Sequence, residues 1–161
     1  AGRCIGGGYP RPCSVDAMNQ GLKYADLIAP CGMNCGICIG YLREKRPCGG
    51  CFRMDDENKP ERCRSCSIVN CDLLSGTESG FCFNCENYPC ARLNRLDKRY
   101  RTNYGMSMIE NLEFIKEKGL EEFTRSEEKR WTCRVCGSGL CVHRDFCLNC
   151  DTRLDCDTCF D

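Results

Sequence analysis

The chain has 161 residues, of which 20 are cysteine, and its 23 basic and 23 acidic side chains cancel to zero net charge. Zero net charge removes the simplest argument for nucleic-acid binding, which is a strongly basic domain. Leu, Ile, Val and Phe together number only 30, too few for apolar burial alone to order the chain. Cross-linking through cysteine is therefore expected to hold the fold.

Six C-x-x-C pairs indicate that this cross-linking uses metal ions. Two sulfurs three residues apart on a tight turn point at one ion, whereas disulfides in this motif are mostly confined to redox sites. A secreted disulfide framework is the alternative. Metal-binding thiols and the absence of a long apolar run predict a cytoplasmic protein without a membrane span. The pairs are Cys48/Cys51, Cys63/Cys66, Cys82/Cys85, Cys133/Cys136, Cys147/Cys150 and Cys156/Cys159.

Residues 1–30 are predicted to form an N-terminal arm, rich in glycine and proline, that carries the isolated Cys4 and Cys13. Ser14 or Asp16 can cap a short helix within it. An extended apolar segment is expected at 24–29, where Pro30 ends it.

Residues 31–91 contain eleven cysteines and are predicted to form a metal-binding module, with one helix at about 36–45. Two sets of four can each surround a zinc ion, although a ligand can exchange with a neighbouring cysteine. The first set is Cys48, Cys51, Cys63 and Cys66, and the second is Cys71, Cys82, Cys85 and Cys90.

A third group in this module is the triplet Cys31, Cys35 and Cys38. Spacings of four and three residues can place its sulfurs around one centre at a helix start, with Cys71 or Cys90 as candidate fourth ligand. Zinc is the first expectation and a [4Fe–4S] cluster the alternative. Radical S-adenosylmethionine enzymes share this spacing, but they need a large barrel for which this chain lacks the strand–helix pattern.

Residues 92–130 contain no cysteine and are predicted to be a helical connector. Leu93, Leu96, Tyr100 and Tyr104 mark one face of a first helix. Ser107 to Glu110 forms a capping box that starts a second, Gly119 ends it, and a third follows from Leu120. The first helix also carries a basic cluster with interleaved tyrosines, which predicts either nucleic-acid contact or merely a solvated face. The basic residues are Arg92, Arg95, Lys98, Arg99 and Arg101.

Residues 131–161 are predicted to form a zinc-ribbon-like module with a C-x-x-C tail. Cys133, Cys136, Cys147 and Cys150 occupy two knuckles separated by a loop long enough to fold back, which is typical of a closed structural zinc site. The only histidine, His143, lies in this loop and is interpreted as a polar loop residue. Cys141 and the tail pair Cys156/Cys159 have no assigned partner; the tail can complete a site with the N-terminal arm or act as a redox dithiol.

The chain resembles a cysteine-rich microbial family known only as a domain of unknown function. The resemblance covers roughly residues 24–153 and rests on the start C-G-M-N-C-G-I-C, the helix sequence Y-G-M-S-M-I-E-N-L and the C-terminal C-x-x-C and C-V-H-R motifs. It implies no activity. The arm with Cys4 and Cys13 and the Cys156/Cys159 tail depart from the family pattern.

These patterns predict a small, metal-stabilised, irregular α+β fold that binds three or more zinc ions. The function expected is a protein- or nucleic-acid-interaction module built on Cys4 sites. The alternative is an iron–sulfur electron-transfer protein that uses the Cys31/Cys35/Cys38 triplet. Catalysis is not expected, because the sequence has no nucleophile motif and no Gly-rich phosphate loop.

Overall fold

The computed structural model describes residues 25–53 and 56–154. In these ranges five α-helices form: α1 (Ile39–Leu42), α2 (Glu61–Arg64), α3 (Ala91–Tyr104), α4 (Met108–Lys118) and α5 (Leu120–Arg130). Short 3-10 helices occupy Cys35–Ile37, Asp72–Gly76 and Cys82–Asn84. Strand pairing within the described residues is limited to the isolated bridges Ile28–Asn34, Thr132–Gly139 and Phe146–Arg153. The fold is therefore small and mostly helical, with less β-structure than the sequence predicts.

Helices α4 and α5 begin, and α4 ends, at the predicted residues, whereas neither end of α3 had a predicted signal. Gly105 ends α3 with a left-handed φ of 61°, and Gly119 ends α4 with a φ of 88°. The Ser107 hydroxyl caps α4 by accepting the Glu110 N–H at 3.0 Å. The Glu110 carboxylate, however, pairs with Arg101 at 3.2 Å, so the capping box acts through its serine.

The turn between α3 and α4 is organised around the buried carboxylate of Asp97. It accepts hydrogen bonds from the Ser107 hydroxyl at 2.6 Å, the Ile109 N–H at 3.1 Å and the Arg101 guanidinium at 2.7 Å. Burial works against ionisation of this carboxyl, but these donors outweigh burial and lower its pKa. Asp97 is thus an ionised residue that fixes the angle between two helices.

The single helix predicted at 36–45 is two separate pieces. Asn34 caps the 3-10 helix Cys35–Ile37 by accepting the Gly36 N–H at 2.9 Å. Cys38 is extended, with φ −79° and ψ 139°, and separates that helix from α1. Ile37 and Tyr41 therefore both lie in helical segments, but the extended backbone at Cys38 separates the two segments.

One apolar core joins the predicted cysteine-rich, helical and C-terminal segments. Its buried members include Leu27, Met33 and Ile37, then Leu93, Met106, Met108 and Leu112, and finally Trp131, Leu140 and Val142. Cysteines contribute directly, because Cys31, Cys35, Cys133 and Cys147 are buried in the same cluster. A smaller cluster of Ile28, Ile115 and Phe123 packs beside it.

Two of these segments approach each other closely at Gly32. Its φ is 85°, and a Cβ placed on it would lie 2.7 Å from the Met108 carbonyl oxygen. The Asn111 amide donates to the Gly32 carbonyl at 2.9 Å. Two of the motifs that carry the family resemblance, C-G-M-N and M-S-M-I-E-N, are therefore in direct contact, and only glycine fits between them.

No helix in the described ranges is long and apolar enough to cross a membrane. Residues 1–24 of the predicted N-terminal arm, with its short helix, Cys4 and Cys13, lie outside the described residues, as do Cys156 and Cys159. In the described end of the arm, a turn at Asp26 and Leu27 precedes the Ile28–Asn34 bridge, and residues 27–30 are buried.

Candidate metal centre

The C-terminal segment consists of two short hairpins that repeat each other at the 14-residue step from Cys133 to Cys147. The Cys133 N–H donates to the Ser138 carbonyl at 2.8 Å, and the Cys147 N–H donates to the Thr152 carbonyl at 2.8 Å. The backbone has positive φ at Gly137 (71°) and at Asp151 (57°), directly after the second cysteine of each hairpin. The local backbone thus builds two equivalent knuckles at the two C-x-x-C pairs.

The two knuckles bring four sulfurs together. The Sγ atoms of Cys133, Cys136, Cys147 and Cys150 all lie within 4.8 Å of one another. Contacts across the knuckles are 3.7 Å for Cys133–Cys150 and 3.6 Å for Cys136–Cys147. A tetrahedral ion with Zn–S bonds of about 2.3 Å separates its sulfurs by about 3.8 Å. This cluster can therefore hold a metal ion.

Hydrogen-bond donors around the cluster favour thiolates, the form that binds metal. The Asn149 side chain and then Ser138 lower the pKa of Cys136 to about 5. Thr152 lowers the pKa of Cys150 in the equivalent position of the other knuckle. Burial raises the pKa of Cys147 to about 11, so a bound cation is needed to keep that inner sulfur ionised at neutral pH.

The remaining predicted ligands are distributed differently from the sequence-based sets. Within the ranges that the structure describes, only the C-terminal quartet has three or more ligand atoms within 4.8 Å of one another. The Cys35 Sγ lies 3.5 Å from the Cys51 Sγ, although the sequence placed these residues in different sets. The hydrogen bond between them lowers the pKa of Cys51 to about 7 and raises that of Cys35. One centre shared by Cys31, Cys35 and Cys38 stays a prediction.

Cys71, Cys82, Cys85 and Cys90 line one pocket beside α3. Burial, followed by repulsion from Cys90, Cys85 and Cys71, raises the pKa of Cys82 to about 12. One metal site formed by these four cysteines, the second predicted set, stays a prediction. All sixteen cysteines in the described ranges are free of disulfide bonds.

His143 uses both ring nitrogens within the fold. Its Nδ1 accepts the Ile39 N–H at 3.4 Å, and its Nε2 lies 3.2 Å from the Tyr100 hydroxyl. Burial, and then Arg62 and Arg144, lower its pKa and favour the neutral ring. Because Nδ1 accepts, the neutral ring carries its proton on Nε2 and donates it to Tyr100. Sequence reasoning had no signal for this structural role, which joins residues 104 positions apart.

The basic face of α3 is smaller than its sequence indicates. Arg92 donates to the Ser67 carbonyl at 3.1 Å, and Arg101 pairs with Asp97. Within the described residues Arg95, Lys98 and Arg99 are exposed and make no ion pair. The aromatic side chains predicted for base stacking pack elsewhere: the Tyr104 ring centroid lies 4.8 Å from that of His143, and Tyr100 contacts both.

The chain matches no protein-family model, and no curated protein or solved structure is significantly similar to it. The resemblance drawn from its motifs therefore rests on the sequence alone.

Proposed function

We propose that the protein is a zinc-binding interaction module in which the metal ions are structural. The carrying observation is the cluster of four sulfurs from Cys133, Cys136, Cys147 and Cys150. Four thiolates fill the coordination sphere of zinc and leave no position for a water or substrate. Sulfur contacts of 3.6 and 3.7 Å fit a single ion, whereas each cysteine of a [4Fe–4S] cluster binds a different iron.

The surface above this cluster supports a protein partner. Val135 is 69% exposed and Leu148 is 40% exposed, although both are apolar. They occupy the turns between the paired cysteines of the two knuckles, whose sulfurs meet at the cluster. A metal-fixed turn presents an apolar side chain with little loss of conformational entropy on binding.

Metal analysis after anaerobic purification tests the metal assignment. We expect zinc in a colourless protein, and Cys136→Ser should release one ion because its sulfur is one of the four. Arg134→Ser, an exposed neighbour in the same turn, should retain every ion. Stoichiometric iron with visible charge-transfer absorption would instead establish the redox alternative.

Partner capture from extracts of the source cells tests the interaction surface. Val135→Ser combined with Leu148→Ser should abolish capture of a specific protein, whereas Phe52→Ser, which removes a side chain 57% exposed elsewhere, should not. Salt-dependent binding to oligonucleotides, lost in Arg95→Gln with Lys98→Gln and Arg99→Gln, would replace the protein partner with nucleic acid.

A further inference from the structure

Cys141 is fully buried, at 0% exposure, and no pattern in the sequence assigns it a partner. Its segment runs alongside the segment that contains Cys38. The Val142 N–H donates to the Ile37 carbonyl at 2.9 Å, and the Ile39 N–H donates to His143. One backbone hydrogen bond and one hydrogen bond to the His143 ring, made by the two residues that flank Cys38, therefore hold the Cys141 segment against Cys38.

Main-chain N–H groups face both sulfurs in the way they face the sulfurs of the C-terminal quartet. In the quartet, Cys147 receives the N–H groups two and three positions ahead of it, and Cys136 receives the one two positions ahead. Cys38 likewise receives the N–H groups of Gly40 and Tyr41, two and three positions ahead of it. Cys141 receives the N–H group of His143, two positions ahead. Such donors stabilise the negative charge of a metal-bound thiolate.

Two further cysteines lie around Cys38. The Cys48 N–H donates to the Gly40 carbonyl at 2.8 Å. A Cβ placed on Gly40 would lie 3.6 Å from the Cys38 Sγ and 3.8 Å from the Cys48 Cβ, so these two side chains flank the same glycine. Cys63 is within electrostatic reach of Cys51, and then of both Cys38 and Cys48. The negatively charged thiolates repel one another, and a cation bound between them would offset this repulsion.

We propose that Cys38, Cys48, Cys63 and Cys141 bind one metal ion, which fastens the C-terminal segment to the cysteine-rich region. Metal binding draws these sulfurs inward to the spacing already present in the C-terminal quartet. The pairs Cys48/Cys51 and Cys63/Cys66 are then divided between two ions. The neighbouring ion is bound by Cys31, Cys35, Cys51 and Cys66, and the Sγ atoms of Cys35 and Cys51 already lie 3.5 Å apart. This inference rests on the proposed metal-binding function.

The neighbouring set has its own support. The Met33 N–H faces the Cys31 sulfur, which is within electrostatic reach of Cys51, then of Cys82 and Cys66. The Cys35–Cys51 contact of 3.5 Å is far longer than a disulfide, which is about 2.05 Å, and is close to the contacts in the C-terminal quartet. The two sites are therefore interleaved: each of the pairs Cys48/Cys51 and Cys63/Cys66 gives one cysteine to each ion. Assigning both cysteines of a C-x-x-C pair to one ion excludes this arrangement.

Native mass spectrometry of the full chain tests this assignment by counting ions after equilibration with a chelator that leaves the wild type fully loaded. Cys141→Ser should lose one ion, and so should Cys38→Ser. The double variant should also lose one ion, because both residues serve the same site. Cys141→Ser combined with Cys136→Ser should lose two. The buried neighbour Val142→Ala should lose none and controls for packing.

A Cys141→Ser chain that keeps the wild-type number of ions would overturn the inference, as would a loss of two ions from the Cys38/Cys141 double variant. Either result leaves zinc binding itself intact, whereas a metal-free wild type would overturn the proposed function as well. If a variant fails to fold, the test uses the wild type instead: metal is removed in steps by a chelator, and the cysteines released at each step are alkylated. Cys141 should be alkylated in the same step as Cys38, Cys48 and Cys63, and labelling in a different step from Cys38 would refute the shared ion.

Discussion

The side-chain amide of Asn34 donates a hydrogen bond of 3.2 Å to the carboxylate of Glu127, across 93 positions of sequence. Both residues are buried. Asn34 caps the 3-10 helix Cys35–Ile37, and Glu127 lies on α5, so this contact ties the first cysteine motif to the last helix. Like the buried hydrogen bonds from Ser107 to Asp97 and from Asn111 to the Gly32 carbonyl, it is a polar contact between distant segments of the core.

Replacing Asn34 with alanine should destabilise the protein by about 2–4 kcal/mol, because it removes a helix cap and leaves a buried carboxylate without its amide donor. Chemical denaturation of the metal-loaded protein measures this change. Asn103→Ala, at an exposed position on α3, is the control and should change stability by less than about 0.5 kcal/mol. Equal effects of the two substitutions would contradict this role for Asn34.

Glu127 should give the protein a stability gain on mild acidification. Burial raises its pKa, partly offset by Asn34, Arg130 and Trp131. A carboxyl whose folded pKa is raised binds protons more tightly when folded, so its contribution increases as pH falls from neutral towards the ordinary glutamate pKa. Glu127→Gln removes that gain. The difference in stability between wild type and variant, followed from pH 7 towards pH 5, isolates this effect, and a difference independent of pH would refute it.

The stabilisation contributed by Asp97 depends on pH in the opposite direction to that of Glu127. Its lowered folded pKa means that its stabilisation is fully present above the ordinary aspartate pKa and is lost as pH falls through the folded value. At neutral pH, Asp97→Asn should therefore cost about 1–3 kcal/mol, because the amide cannot accept all three hydrogen bonds as a carboxylate does. Thermal melting at pH 7 measures the loss. Glu117→Gln, which changes the same charge on α4 at an exposed position, should leave the melting temperature nearly unchanged.

Gly32→Ala should destabilise the protein by about 2–5 kcal/mol, because a Cβ there meets the Met108 carbonyl and the backbone has positive φ. Gly76→Ala is the matched control, since a Cβ at Gly76 meets nothing within 4 Å. Denaturant titration of both variants gives the comparison. A tolerated Gly32→Ala would mean that α4 can move away from the cysteine motif.

Exhaustive chelation should unfold the chain, because a structural zinc site supplies about 10–16 kcal/mol of apparent binding free energy and the apolar core is small. Circular dichroism and thermal melting before and after metal removal check this. Restoring zinc under reducing conditions should restore the helical signal. A chelated chain that still melts cooperatively at its original temperature would show that the apolar core alone maintains the fold.

The parts of the structure that sequence predicts well are those encoded locally. Ser107 and Gly119 act through hydrogen bonds and dihedral angles within a few residues, so the limits of α4 and the start of α5 could be predicted. Each knuckle of the C-terminal quartet is likewise a local turn. The break at Cys38, the Cys35–Cys51 contact and the burial of Cys141 depend on residues far along the chain, and C-x-x-C spacing carries no information about them.

The hydrogen bond from Ile39 to His143 has a consequence for biosynthesis. The cysteine-rich region leaves the ribosome first, and the 104 residues that separate these partners take about 5–20 s to translate. During that interval Cys38 and its neighbours lack the segment that later covers them, and their sulfurs are accessible to oxidants and to competing ions. For the ion proposed at Cys38 and Cys141, correct loading therefore requires nascent thiols that stay reduced and exchange metals freely until synthesis has passed His143.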